Sequence, residues 1–440
     1  MEFTPWTLLT DIGIISAFLL LGKWARARLT WLQRLFIPPS LLAGFAGLVF
    51  GPGVLGWLPL SDKLGSYAGI LIALVFSCLP LTSERQAAAS GEGKIGRMWA
   101  YSQAGMLLQW GLGGLLGCFV LARLWPVDPA CGLSMPAGFC GGHGTAAALG
   151  DAFGQYGLED IRTLAMTAAT VGIIASVVIG MALIRRGAEK GETSYLGHFD
   201  DLPPELRSGV LPKERRFSMG EATFSAISLD SMTFNFGMVA LITLAGYGLS
   251  KGVEALWPAL MLPVFSCAFI AGILVRSVLR KTHVDGYLSK PIIGHLSGAF
   301  TDYLVAFGVA SIKLEIVARY IVPLTLLLVI GLLATLLYVF LLGRRFHKTA
   351  WFEKSIFTWG WFTGTMAMGI ALLRITDPDS RSGCLNDYAY AYLYIAPVEI
   401  SLVTFAPLLF VQGFGGWFSL ACALAGLVIL AVAWQRRWLR

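Results

Sequence analysis

The sequence predicts an all-α polytopic membrane protein: an inverted repeat of five spans plus a re-entrant hairpin each, with one extra C-terminal span. Three observations lead there. Of 440 residues, 56% are hydrophobic and 13% charged, with mean hydropathy +0.70; a soluble domain carries about 25% charge. Apolar runs of about 20 residues, the length that crosses a bilayer as a helix, recur from end to end. Two further apolar stretches are broken by glycine, and backbone with unpaired N–H and C=O groups cannot face lipid.

Taken in order, the runs predict spans at 7–22, 37–57, 64–83 and 98–122, then a broken stretch at 129–150, then a span at 160–184. A polar connector follows. The pattern then repeats with spans at 224–249, 256–277, 292–311 and 320–342, a broken stretch at 351–373, and a span at 386–411. A last run at 416–435 falls outside the repeat. The runs are continuous and do not alternate, which excludes an outer-membrane barrel. The organisation is therefore a first transmembrane repeat at 1–185 with its hairpin at 129–150, and a cytoplasmic linker at 186–219. A second, inverted repeat at 220–411 has its hairpin at 351–373, and 412–440 adds the extra span and a basic tail.

Charge supports this layout. With the N-terminus outside and both broken stretches re-entering without crossing, inner loops collect 27 of the 33 Lys and Arg residues. Only Lys63, Arg123, Arg162, Lys251, Lys313 and Arg319 stay outside. That bias follows the positive-inside rule, and it also explains the net charge of +7 without a nucleic-acid partner. The first run leads into Lys23-Trp24-Ala25-Arg26 and not into a small-residue cleavage site, so no cleavable signal is expected. A bacterial inner membrane is the expected location, with the C-terminus cytoplasmic. The seven cysteines form no CxxC and read as small buried residues, with no metal site and no cofactor.

Inverted repeats with broken helices at matching positions are a signature of secondary transporters, whose site lies where the breaks meet. The first break reads Cys140-Gly141-Gly142-His143-Gly144-Thr145-Ala146. Its glycines permit positive φ and close approach of a ligand to backbone. Thr145 is positioned to cap the helix of Ala146–Ala148, whose first N–H groups and positive dipole end suit a carboxylate. Carbonyls on the unwound side, at Cys140, suit a cation. The second stretch, Trp359-Gly360-Trp361-Phe362-Thr363-Gly364-Thr365 on to Gly369, offers an unwound tip with hydroxyls. The competing reading of the first break is a tight turn that lets two helices pack.

Carboxylates inside apolar runs are costly and point to function. Glu399, behind Pro397, and Asp302, in Thr301-Asp302-Tyr303, are the candidates to ligate a cation or take a proton. Asp11 sits near a span end, where water can reach it, and Asp230 and Asn235 lie near the start of another span. Arg374 either meets a substrate carboxylate or anchors an inner boundary. Tyr388, Tyr390, Tyr392 and Tyr394 read as an interfacial and pocket-wall belt.

On these residues the chain resembles the glutamate:sodium symporter family, as a divergent member. The run Gly141–Ala148 is similar to that family's first-hairpin signature. A basic loop before Ile37-Pro38-Pro39, then Ala43-Gly44, resembles its first loop and second helix, and Gly157-Leu158 with Ala165–Thr170 resembles the segment after the hairpin. The second half, from about Pro258 to Phe410, matches in layout. The chain departs from the family's pattern at Pro136, Gly138 and Cys140, where the family is rich in Ser and Thr. It also lacks the Pro and Asn of the family's second hairpin.

The resemblance implies a homodimeric Na⁺-coupled symporter of acidic amino acids, with binding at two hairpin tips crossed near the bilayer midplane. The substrate residues would then be Gly141, Gly142, His143, Gly144, Thr145, Thr363, Gly364, Thr365 and Arg374. Coupling-ion residues would be Cys140, Gly369, Asp302 and Glu399. Its expected partners are a small anionic solute, Na⁺ and the lipid bilayer. A proton-coupled carboxylate transporter using Glu399 or Asp302 is the first alternative. A channel or intramembrane enzyme is the alternative of another class, and the chain has no HExxH motif or nucleotide-binding loop to support an enzyme.

Overall fold

The computed structural model describes residues 4–34, 37–82, 92–195, 227–257, 262–377 and 381–438, with short stretches between 210 and 224. Half of the 186–219 connector, Arg85, Pro258, Pro378 and Asp379 lie outside the described residues. The described residues are helical, as the hydropathy predicts. In order the main helices are α1 (Pro5–Arg28), α2 (Pro39–Phe50), α3 (Leu64–Thr82), α4 (Glu92–Leu116), α5 (Ser134–Phe139), α6 (Gly142–Gly154) and α7 (Asp160–Glu189). There follow α8 (Ser231–Leu256), α9 (Val264–Lys281), α10 (Lys290–Ala310), α11 (Ile321–Phe346), α12 (Trp351–Thr363), α13 (Met366–Thr376), α14 (Cys384–Val411) and α15 (Gly415–Gln435).

Nine of the described helices are long and apolar enough to cross a membrane, where the sequence predicts eleven spans. The two that fall short are the runs at 37–57 and 256–277. In the first, Pro39 opens α2 and the Gly51-Pro52-Gly53 turn stops it after 12 residues. That gives about 18 Å of helix against a hydrocarbon core of about 30 Å. In the second, Pro263 delays α9 until Val264, and the helix ends among Arg276, Arg280 and Lys281. Proline fits a helix start and glycine-proline ends one, which shortens α2, whereas α9 keeps 18 residues but carries three cations.

The helices form two compact units, made of residues 1–22, 39–86 and 211–311, and of residues 23–38, 87–210 and 312–440. In the first unit, small residues bring α2, α3, α8, α9 and α10 together. A methyl at Gly44 would lie 2.5 Å from Val309 Cβ, and one at Gly246 would collide with Ala268 Cα. Lipid offers no hydrophobic drive between spans, so such close backbone approach supplies their cohesion. Asp230 caps α8 by accepting from the N–H groups of Met232 (2.8 Å) and Thr233 (3.2 Å). Buried Asn235 accepts from Ser289 N–H at 3.0 Å.

Asp11, which the sequence leaves near water, is fully buried in this unit. Its Oδ1 accepts from Ser61 N–H (2.9 Å), and its Oδ2 from Ser61 Oγ (2.5 Å) and Tyr67 OH (2.9 Å). The chain after α2 doubles back to bring Ser61 there, a tertiary partner that a span-end position does not reveal.

The second unit contains both broken stretches. α4 packs along α15 through glycine: a methyl at Gly111 would lie 2.7 Å from Ala423 N, and one at Gly114 would collide with Ser419 Oγ. The C-terminal span is thus an integral wall of this unit. Every α5 residue and every α12 residue from Phe352 to Thr363 is buried. Helices with no exposed face belong inside a bundle, where they can carry irregular backbone away from lipid. Lys354 of α12 and Asp387 of α14 form a buried ion pair at 2.8 Å.

Candidate functional site

The first break is short. α5 ends as Cys140 N–H donates to Pro136 O at 3.1 Å, and α6 begins two residues later. Gly142 carries φ +62°, which makes glycine the fitting residue there. Thr145 lies inside α6, not at its cap as the sequence suggests, because the helix starts at Gly142, a turn earlier. Its hydroxyl is thereby released to donate to Glu399 Oε1 at 3.1 Å.

Glu399 is half-buried, and its second oxygen accepts from Tyr392 OH at 3.4 Å. Tyr392 and Glu399 are seven residues apart, two turns along one face of α14. The tyrosine belt divides on the same logic. Tyr388 and Tyr392 stack inward at 5.6 Å, with Tyr388 also packed on Trp361 at 4.9 Å, while Tyr394 points out at 66% exposure.

His143 is buried beside Thr170, its Nε2 3.1 Å from Thr170 Oγ1. The Thr170 hydroxyl donates to Met166 O (2.9 Å), so the imidazole N–H belongs on Nε2 and points at Thr170. Nδ1 then carries the lone pair and has no partner. That leaves an acceptor at the tip, suited to an ammonium or hydroxyl donor.

The second break lies between α12 and α13. Thr363 closes α12 by donating to Trp359 O (2.7 Å), and Gly364 N–H and Thr365 N–H both reach back to Gly360 O at 3.0 and 3.3 Å. Thr365 is extended, and its hydroxyl caps α13 by accepting from Met368 N–H at 3.4 Å. The two arms pack tightly, since a methyl at Gly360 would lie 2.6 Å from Gly369 Cα. Gly369 belongs to this seam, against Phe357 O, one turn away from the break itself.

The two breaks touch. A methyl at Gly142 would lie 2.5 Å from Thr365 Cγ2 and 2.8 Å from Gly364 O. Around them, a methyl at Gly172 would collide with Thr363 O, so α7 presses directly on the end of α12. The structure therefore unites residues 140–145, 363–365 and Glu399 in one unit. It does not bring Arg374 to the tip. That residue lies nine positions beyond Thr365, about 13 Å along α13. Asp302 is an exposed residue of α10 and belongs to the other unit.

Sequence reasoning missed Gln109. Its amide donates to Thr335 Oγ1 (2.7 Å) and Phe362 O (3.0 Å), while Oε1 is buried without a partner. A glutamine in the apolar run of α4 was the available signal. The arrangement offers an α6 N-terminus for an anion, and, for a cation, α12 carbonyls with the Glu399 carboxylate.

Among curated proteins, no sequence matches the chain. A family model described as sodium/glutamate symporter matches residues 7–350. The match includes α5 and α6 and stops where α12 begins. Together with the helical fold and its spans, it makes this chain a multi-pass membrane protein of the sodium/glutamate symporter family.

Proposed function

We propose that the protein is a secondary active transporter that carries a glutamate-like anionic amino acid with Na⁺ by alternating access. The observation that carries the reading is the contact of the two breaks beside Glu399. A carboxylate solute at the α6 N-terminus meets oriented N–H groups, but it also stands near an acidic side chain. A cation between Glu399 and the carbonyl end of α12 offsets that repulsion, so anion and cation favour each other's binding. This mutual stabilisation is the physical basis of symport. The unpartnered His143 Nδ1 supplies an acceptor for the amino group.

The inverted repeat is part of the proposal, and the interleaving of the units supports it. In each half, three predicted spans fall in the first unit, whereas the fourth span, the broken stretch and the fifth span fall in the second. The second unit is then the mobile carrier, and the first the scaffold. A homodimer in a bacterial inner membrane, with the N-terminus outside, completes the reading.

The test is uptake of radiolabelled L-glutamate into proteoliposomes under an inward Na⁺ gradient, or under a pH gradient alone. Accumulation that requires Na⁺ is expected. Equal accumulation without Na⁺ sinks the reading in favour of proton coupling at Glu399, the second reading. Flux without accumulation points to a channel.

A further inference from the structure

The opposite end of α12, far from its break, carries a second polar site. A cavity of about 170 Å³ is lined by Arg97, Phe346, His347, Lys348, Thr349 and Lys354. Three of the six are cations and one is a hydroxyl. The space is several times the roughly 30 Å³ of a water molecule and so admits a tetrahedral oxyanion.

Two observations converge there. His347 is 6% exposed, and its Nε2 has no hydrogen-bond partner. Its ring is fixed edge-on against Tyr101 at 5.0 Å, and its backbone N–H is spent on Gly343 O (3.0 Å). Independently, the 13-residue α12 begins at this point. Ala350 precedes it in the left-handed conformation (φ +49°) and gives no side-chain cap; the N-terminus of a helix favours an anion. Lys354 is already paired with Asp387, so attraction for an anion comes from Lys348 and the helix end. A buried, unpartnered imidazole nitrogen beside Lys348 and a helix N-terminus suits an acceptor with negative charge.

We propose that this cavity binds a compact phosphate-type oxyanion, either a free ion or the headgroup of an anionic lipid, against His347, Lys348 and the start of α12. The bound ion ties the α11–α12 turn to α4 and braces the foot of the arm whose other end bears Thr363 and Gly364.

The experiment measures equilibrium binding of radiolabelled inorganic phosphate to the full-length protein in nanodiscs of neutral phosphatidylcholine. Saturable binding near one ion per chain is expected, uncompeted by L-glutamate. Lys348 is exposed, so Lys348→Gln leaves the fold intact and weakens binding about fivefold or more. His347→Leu removes the buried nitrogen and does the same. Adding phosphatidylglycerol to the nanodiscs separates the sources: competition identifies the lipid headgroup, and undiminished phosphate binding identifies the free ion. Non-saturable binding, competition by L-glutamate, or affinity unchanged in both variants overturns the site.

Discussion

Gly142 and Thr365 meet where the two broken stretches come together: a Cβ on the first would lie 2.5 Å from Cγ2 of the second. Gly142 is constrained twice, by this contact and by its φ of +62°. A left-handed non-glycine residue costs about 1–2 kcal/mol, and the clash adds to it. Gly142→Ala is therefore expected to cut uptake by about tenfold or more while the unfolding temperature falls only a few degrees. Adding Thr365→Ser removes Cγ2 and should restore part of the uptake. A double variant no better than the single would mean that the breaks do not press on each other during transport.

The hydroxyl of Thr145 is aimed at Glu399, and a hydrogen bond to a charged group is worth about 1.5–3 kcal/mol. Thr145→Val keeps the shape and removes that bond. The expected result is a half-saturating Na⁺ concentration raised about tenfold, with a smaller change in KM for solute at saturating Na⁺. Glu399→Gln should abolish the Na⁺ dependence of solute binding, read by thermal shift with and without Na⁺. If Thr145→Val alters solute KM alone, the carboxylate does not serve the cation.

Asp11 makes a contrasting forecast. All three donors that reach it come from its own unit, and nothing in that set is left for a ligand. Asp11→Ala strands Ser61 and Tyr67 and should cost about 1–3 kcal/mol, seen as a lowered unfolding temperature. Solute KM and Na⁺ activation should stay unchanged. A shift in either would make Asp11 part of the coupling pathway.

These three positions show how far the sequence can be read. Hydropathy located the helices, because burial in lipid is written in every residue of a span. Glycine located both breaks, because the special backbone at Gly142 excludes other residues. Partners were harder to see. Asp11 is bonded 50 and 56 residues away, and Glu399 is bonded 254 residues away. Nothing local marks such pairs, whose energies depend on tertiary approach. Two of the eleven predicted spans differ for a local reason: glycine and proline end α2 early, and three cations fall within α9. Gln109 was visible as a polar residue in an apolar run, but its partners, Thr335 and Phe362, were not.

His347 sets an expectation for pH. It follows the end of the α11 span, and burial holds its pKa well below the ordinary 6.5, with Lys354 and Arg97 adding to the effect. The folded protein thus keeps this imidazole neutral at a pH where the unfolded chain protonates it. Between the two pKa values the unfolded state binds the extra proton, so stability rises with pH there. The contribution is complete above the unfolded value of about 6.5 and is lost as pH falls towards the folded value. The unfolding temperature in detergent without phosphate should therefore drop on acidification below pH of about 6.5. His347→Phe, which keeps an aromatic ring against Tyr101, should show a shallower drop over that range. Parallel curves for the two proteins would mean that His347 takes up its proton without cost, and that Lys354 and Arg97 do not bear on it.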